Sequence, residues 1–162
     1  MGPEHRDTAE ALNNVASVLY RLGQFGKAKE AYERALAVKI VVYGIGSSSV
    51  ADTLYNLSLL LRDMHEQGMT GVEGGAGAGG AGTGPASGPS TTSLLSEAVS
   101  YALRALEASE SANGPTDPRT EDVRLHVQDL ERRQDEAVKA AVKGNNPRPP
   151  KRSLTGTFSR KR

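Results

Sequence analysis

The stretch Thr8-Ala-Glu-Ala-Leu-Asn-Asn-Val-Ala16 returns 42 residues later as Val50-Ala-Asp-Thr-Leu-Tyr-Asn-Leu-Ser58. Ala9 matches Ala51, Leu12 matches Leu54, Asn14 matches Asn56 and Val15 matches Leu57; Gly2 and Gly44 keep the same spacing. A second segment repeats at a spacing of 70: Ala28, Arg34, Ala35 and Leu36 recur as Ala98, Arg104, Ala105 and Leu106, while Gly44 and Asp52 recur as Gly114 and Asp122. The difference of 28 residues is an insertion between Leu61 and Ala98, where the Gly/Ala stretch from Gly68 to Thr92 lies. Self-similarity at this period marks an array whose units bury their apolar faces only against neighbouring units.

Each unit reads as helical. Leu12, Val15, Ala16, Leu19 and Leu22 share one helical stripe, and so do Ala28, Ala31, Tyr32, Ala35 and Leu36. Gly23 is a C-terminal stop, because glycine takes a left-handed backbone cheaply. Ser49-Val-Ala-Asp52 fits a capping box. Asp117-Pro118 places a capping residue before a proline suited to the first helical turn. The expected helices are 7–22, 25–43, 48–66, 93–112 and 117–143. Ile40-Val-Val-Tyr43 has local strand preference, but it ends a repeating helix. The expected fold is all-α, a short α-solenoid with about two and a half repeats, which by the resemblance given below is a right-handed superhelix of antiparallel helix pairs. Residues 1–66 hold the first repeat and helix A of the second. Residues 67–93 are a disordered Gly/Ala-rich insertion, 94–143 hold helix B of the second repeat and a terminal capping helix, and 144–162 are a disordered basic tail.

Composition narrows the chemistry. Of 162 residues, 4% are aromatic and none is Trp, so packing relies on small side chains. The absence of Cys excludes disulfides, Cys zinc sites and Cys nucleophiles. No apolar run reaches the roughly 18 residues of a membrane span; Lys39 breaks the best candidate, Ala35 to Tyr43. The N-terminus shows no charged-then-apolar leader. Six of the 20 cations lie in 148–162 with no acid, leaving 14 against 19 acids, net −5, over residues 1–147. Such a tail suits a polyanion, a membrane surface or an acidic protein, and Ser153 after Lys151-Arg152 fits a basophilic kinase target. With Phe158 as its one aromatic, the tail offers no specific nucleic-acid readout.

Gly77-Ala-Gly-Gly-Ala-Gly82 has the spacing of a dinucleotide loop but lacks the flanking strand and helix that such a loop needs. It reads as a flexible tether. His5, His65 and His126 have no ligand-like spacing, and no nucleophile elbow or Walker loop is present. Neither a cofactor nor a metal is expected, and no constellation suggests an enzyme.

The repeated residues resemble the tetratricopeptide repeat, whose antiparallel helices carry large residues early in helix A and Ala, aromatic, Ala in helix B. The matching positions are Leu12, Val15, Ala16, Leu19, Gly23, Phe25, Ala28, Tyr32 and Ala35, then Leu54, Leu57, Ser58, Leu61, Ala98, Ala102 and Ala105. The period of 42, with the wording Thr8-Ala-Glu-Ala-Leu-Asn-Asn-Val-Ala16 and Tyr32-Glu-Arg-Ala-Leu36, is similar to the kinesin light chain and nephrocystin-type subfamily. The chain opens in an inter-repeat loop, Gly2-Pro-Glu-His5, so the helix B that would precede it is missing. The third unit has helix A alone, with Glu131, Arg132, Arg133, Asp135 and Glu136 crowding its far end, as befits a capping helix with a wet outer face.

The resemblance implies a concave surface lined by A helices. Residues just after the packing leucine point away from the A/B seam. These are Asn13 and Asn14, Tyr55 and Asn56, and Leu125 and His126, followed by Tyr20 and Arg21, Arg62 and Asp63, and Arg132 and Arg133. Asn14 and Asn56 stand two residues before a small helix A residue, where an amide donates to and accepts from an extended peptide backbone; His126 takes that place in the third unit. The alternative use of these amides is bonding to a neighbouring helix. Arg21, Arg62, Arg132 and Arg133 could hold acidic side chains or sit in surface pairs such as Asp129 with Arg133. Tyr20 and Tyr55 are anchors or gap fillers. The expectation is a non-catalytic adaptor or scaffold for a peptide or helix, acidic if the arginines read it. By resemblance it is cytoplasmic, with motor-cargo, cytoskeletal or ciliary work. A polyanion- or membrane-binding tail and a fragment of a longer array are the rival readings. Ligand identity and oligomeric state stay open.

Overall fold

The computed structural model describes residues 3–68 and 91–144. The Gly-rich insertion, the basic tail and Ser153 fall outside the described residues, apart from the insertion's ends. Among the described residues five helices follow in order: α1 Pro3–Arg21, α2 Phe25–Tyr43, α3 Ser48–Glu66, α4 Thr91–Asn113 and α5 Pro118–Gly144. The strand-prone Ile40–Tyr43 lies inside α2.

Local chemistry sets most of the ends. Gly23 has φ +73°. Its N–H donates to the Tyr20 carbonyl at 3.0 Å and the Gln24 N–H to that of Leu19 at 2.9 Å, which satisfies two last-turn carbonyls of α1. Asp117 caps α5, its Oδ1 accepting from the Arg119 N–H at 2.9 Å. Two ends differ from expectation. The cap of α3 is Ser47, not Ser49: Ser47 has extended backbone and its Oγ accepts from the Val50 N–H at 3.4 Å, while Ser49 is already helical. And α1 starts at Pro3 rather than about residue 7, because a proline with fixed φ and no N–H to satisfy suits the first turn.

Each helix packs on its chain neighbours: α1 on α2, α2 on α3, α3 on α4 and α4 on α5. Side chains then join alternate helices. Lys29 Nζ lies 2.6 Å from Glu97 Oε1, and Tyr101 Oη donates to Glu33 Oε1 at 3.2 Å, tying α2 to α4. Thr53 Oγ1 donates to Asn13 Oδ1 at 3.2 Å, tying α1 to α3. Ser58 Oγ meets His126 Nε2 at 2.9 Å, tying α3 to α5. The result is a row of α1, α3 and α5 beside a row of α2 and α4, the two-layer order of a short helical solenoid.

One core runs through both rows, from Ala16, Phe25 and Tyr32 through Leu54, Leu57, Leu60 and Leu61 to Leu94, Leu95, Val127 and Leu130. Ala28, Ala35, Ala98, Ala102 and Ala105 are all fully buried and let the helices close up. The insertion does not loosen the pair that it joins, since Leu94 and Leu95 begin α4 fully packed. Lys39 is buried too: its stem lies in the core, and its Nζ reaches the Ser49 carbonyl at 3.5 Å and Glu10 Oε1 at 3.6 Å.

Within the A row, two stripes divide the work. Ala9 and Ala16 of α1 are buried, with Leu12 and Leu19 half-buried beside them, against α2. The repeat-equivalent stripe of α3 is Ala51, Leu54, Ser58 and Leu61, all buried. In α5 the equivalents of Leu54 and Leu61 are Arg124 and Glu131. Arg124 is held by Glu110 at 2.9 Å and by Glu121, and Glu131 is exposed. The face of α5 equivalent to the Leu54–Leu61 stripe is therefore polar at these two positions.

Candidate functional site

The outward face of α1, α3 and α5 is where the candidate residues collect, and the structure splits them by helical phase. Asn13 and Tyr20 stand seven residues apart, on one side of α1, and both bond to α3. Asn13 accepts from Thr53, and Tyr20 Oη donates to Asp63 Oδ2. Tyr20 also sets its ring edge-on to Phe25, with centroids 5.8 Å apart. Burial, reinforced by the Asp63 carboxylate, pushes the Tyr20 phenol up to about 12, so it remains a neutral donor. Asn14 and Arg21, one position further on, have no side-chain partner among the described residues and are exposed.

The second unit follows the same rule. Tyr55 is half-buried and packs edge-on against His126, ring centroids 5.0 Å apart. Asn56, one position on, is half-buried with no side-chain hydrogen bond among the described residues. The Asn14 and Asn56 amides thus stay available, while the Asn13 amide takes the helix-bonding role.

His126 is buried rather than presented. The Ser58 hydroxyl donates to the Tyr55 carbonyl at 2.7 Å, so the 2.9 Å contact with His126 requires Nε2–H to donate to Ser58 Oγ. The ring is mortar between α3 and α5. Burial lowers its pKa, and Arg62 adds to this; Arg133 acts the same way while Asp129 and Asp63 oppose. The folded chain therefore holds a neutral ring at pH values where an unfolded histidine, near 6.5, is protonated. The contribution is fully present above about pH 6.5 and is lost as pH falls through and below that value. In urea titrations from about pH 7.5 to 5, His126→Gln is expected to flatten the fall in stability, since Gln still donates to Ser58 but does not titrate. Equal slopes in the two proteins would refute this role.

The arginines are largely spoken for. Arg62 directs Nε and Nη2 at Asp63 Oδ1, at 3.0 and 2.8 Å. Arg133 binds Asp129 Oδ2 at 2.6 Å and Glu66 Oε1 at 2.5 Å, and Arg132 binds Asp129 Oδ1 at 2.6 Å. These hydrogen bonds, Arg132 first, hold the Asp129 carboxyl below its usual range. Of the four arginines read as contacts for an acidic ligand, Arg21 alone keeps no carboxylate partner among the described residues. Beside Tyr55 a cleft of about 180 Å³ is lined by Asp52, Asn113, Arg119, Asp122 and Val123, so this end of the face carries both signs of charge.

Sequence reasoning missed Thr53, Asp63 and Glu66 as the cross-helix partners; each is an ordinary polar residue whose partner lies on another helix. Among the described residues, no group of His, Asp and Glu could hold a metal, and no helix is long and apolar enough to cross a membrane.

Fold and face together define a helical-repeat protein that offers one row of helices outward. The family model of the tetratricopeptide repeat matches residues 2–68, which run through α1, α2 and α3. This match supports a tetratricopeptide repeat protein, and repeats of this family commonly mediate protein–protein interaction. Comparison with curated proteins and with solved structures gave no match.

Proposed function

We propose that the chain is a non-catalytic adaptor that binds an extended peptide or a helix along α1, α3 and α5. The observation that carries this reading is the pair Asn14 and Asn56: two unpartnered amides at the same repeat position, on rigid helices, each able to donate to and accept from a peptide backbone. Arg21, Tyr55 and the mixed-charge cleft beside Tyr55 supply side-chain selection. Arg62 and Arg133 hold this face in shape through Asp63, Asp129 and Glu66. By its 42-residue period the chain is similar to the kinesin light chain and nephrocystin-type repeats, so motor-cargo or ciliary scaffolding in the cytoplasm is the setting we assign. The free arginine favours a ligand with acidic groups near the α1 end.

Affinity capture from a cell extract tests this. Asn14→Ala with Asn56→Ala is expected to weaken retention of the captured protein about tenfold or more while leaving the thermal melt unchanged. Retention that survives the double variant but disappears when residues 147–162 are removed would assign binding to the basic tail.

A further inference from the structure

The same stripe occurs on all three A helices, and on α1 its large apolar members Val15, Val18 and Leu22 are left exposed among the described residues. In α3 it is Val50, Thr53, Leu57, Leu60 and Met64, each at most 3% exposed. In α5 its equivalents Thr120, Val123, Val127 and Leu130 are buried as well. The preceding B helix supplies the cover in both cases, α2 on α3 and α4 on α5. The α1 equivalents are Thr8, Ala11, Val15, Val18 and Leu22, and Val15, Val18 and Leu22 are 51, 57 and 65% exposed. They alternate at spacings of three and four, the seam pattern of a two-helix coiled coil.

We infer that this stripe is the contact between two copies of the chain, α1 packing antiparallel on α1 of the second copy about a two-fold axis. The flanking charges select that arrangement. Asp7 and Arg21 lie two heptads apart on one flank of the stripe, both exposed and both without an ion-pair partner among the described residues. An antiparallel two-fold pairing sets each Asp7 against the other copy's Arg21, whereas a parallel pairing puts the two copies of this flank on opposite sides of the seam and leaves both charges without that partner. One helix pair is a small interface, so self-association is weak, with a Kd of about 10–100 µM. Asn14 lies on the same flank between the two charges, so pairing and a peptide at Asn14 exclude each other.

Sedimentation equilibrium of the full chain, from about 5 to 500 µM, tests the inference. The wild type is expected to shift from monomer to dimer across that range. Val18→Glu, which alters the stripe alone, is expected to weaken pairing about tenfold or more. Asp7→Arg is expected to weaken it about threefold, and Asp7→Arg with Arg21→Asp to restore it. The charge variants are fully surface changes and keep the test readable if Val18→Glu lowers stability. A wild type that stays monomeric overturns the inference and leaves the stripe to a helix of another protein. A dimer indifferent to Val18→Glu, or one not restored by the double reversal, overturns it as well.

Discussion

Leu57→Ala is expected to cost about 3 kcal/mol, and Val15→Ala, at the same repeat position, well under 1 kcal/mol. Leu57 is fully buried in the core, and truncation leaves a cavity that the rigid helices around it cannot collapse into. Val15 is 51% exposed and loses little contact. Against the ~5–15 kcal/mol of an ordinary domain, the Leu57 loss is large. In so short an array it should be visible as a marked drop in the urea midpoint followed by circular dichroism. Equal losses at the two sites at a concentration where the chain is monomeric would mean that α1 is covered as fully as α3, and the stacking order described above would be wrong.

Enlarging the small-residue seam is expected to be nearly as damaging. Ala102 lies at the centre of α4 with no exposed surface, between Ala98 and Ala105, which are equally buried. Ala102→Leu inserts three further carbon atoms where neighbouring helices touch, and should cost about 2–3 kcal/mol. Ser100→Leu, on the exposed side of the same helix, should change stability by less than about 0.5 kcal/mol. Comparison of the two midpoints checks this; a tolerated Ala102→Leu would show that α4 has room to move off its neighbours.

The helices were legible because repeated units bury the same positions, so two offsets, 42 and 70, marked them without any appeal to propensity. That logic overrode the strand preference of Ile40–Tyr43. What it could not choose was one serine among Ser47, Ser48 and Ser49, since the cap is decided by which residue keeps an extended backbone. Within the candidate face, adjacent residues differ by about 100° of helix rotation. Sequence therefore placed Asn13 with Asn14 and Tyr20 with Arg21, and only the position of α3 separates bonded from free. The local pair Asp129–Arg133 could be read at its i to i+4 spacing. Its cross-helix continuation to Glu66 could not. His126 was read as an Asn56 equivalent, but its ring is drawn inward by Ser58 on a different helix.

The polar substitutions on α5 give the molecule a direction. With Arg124 and Glu131 standing where Leu54 and Leu61 receive a partner in α3, extra hairpins fused after α5 would find nothing greasy to settle on. Hairpins fused ahead of α1 would meet Val15, Val18 and Leu22 ready to be wetted no longer. An engineer wishing to lengthen this scaffold should therefore build upstream, and must repaint α5 before building downstream.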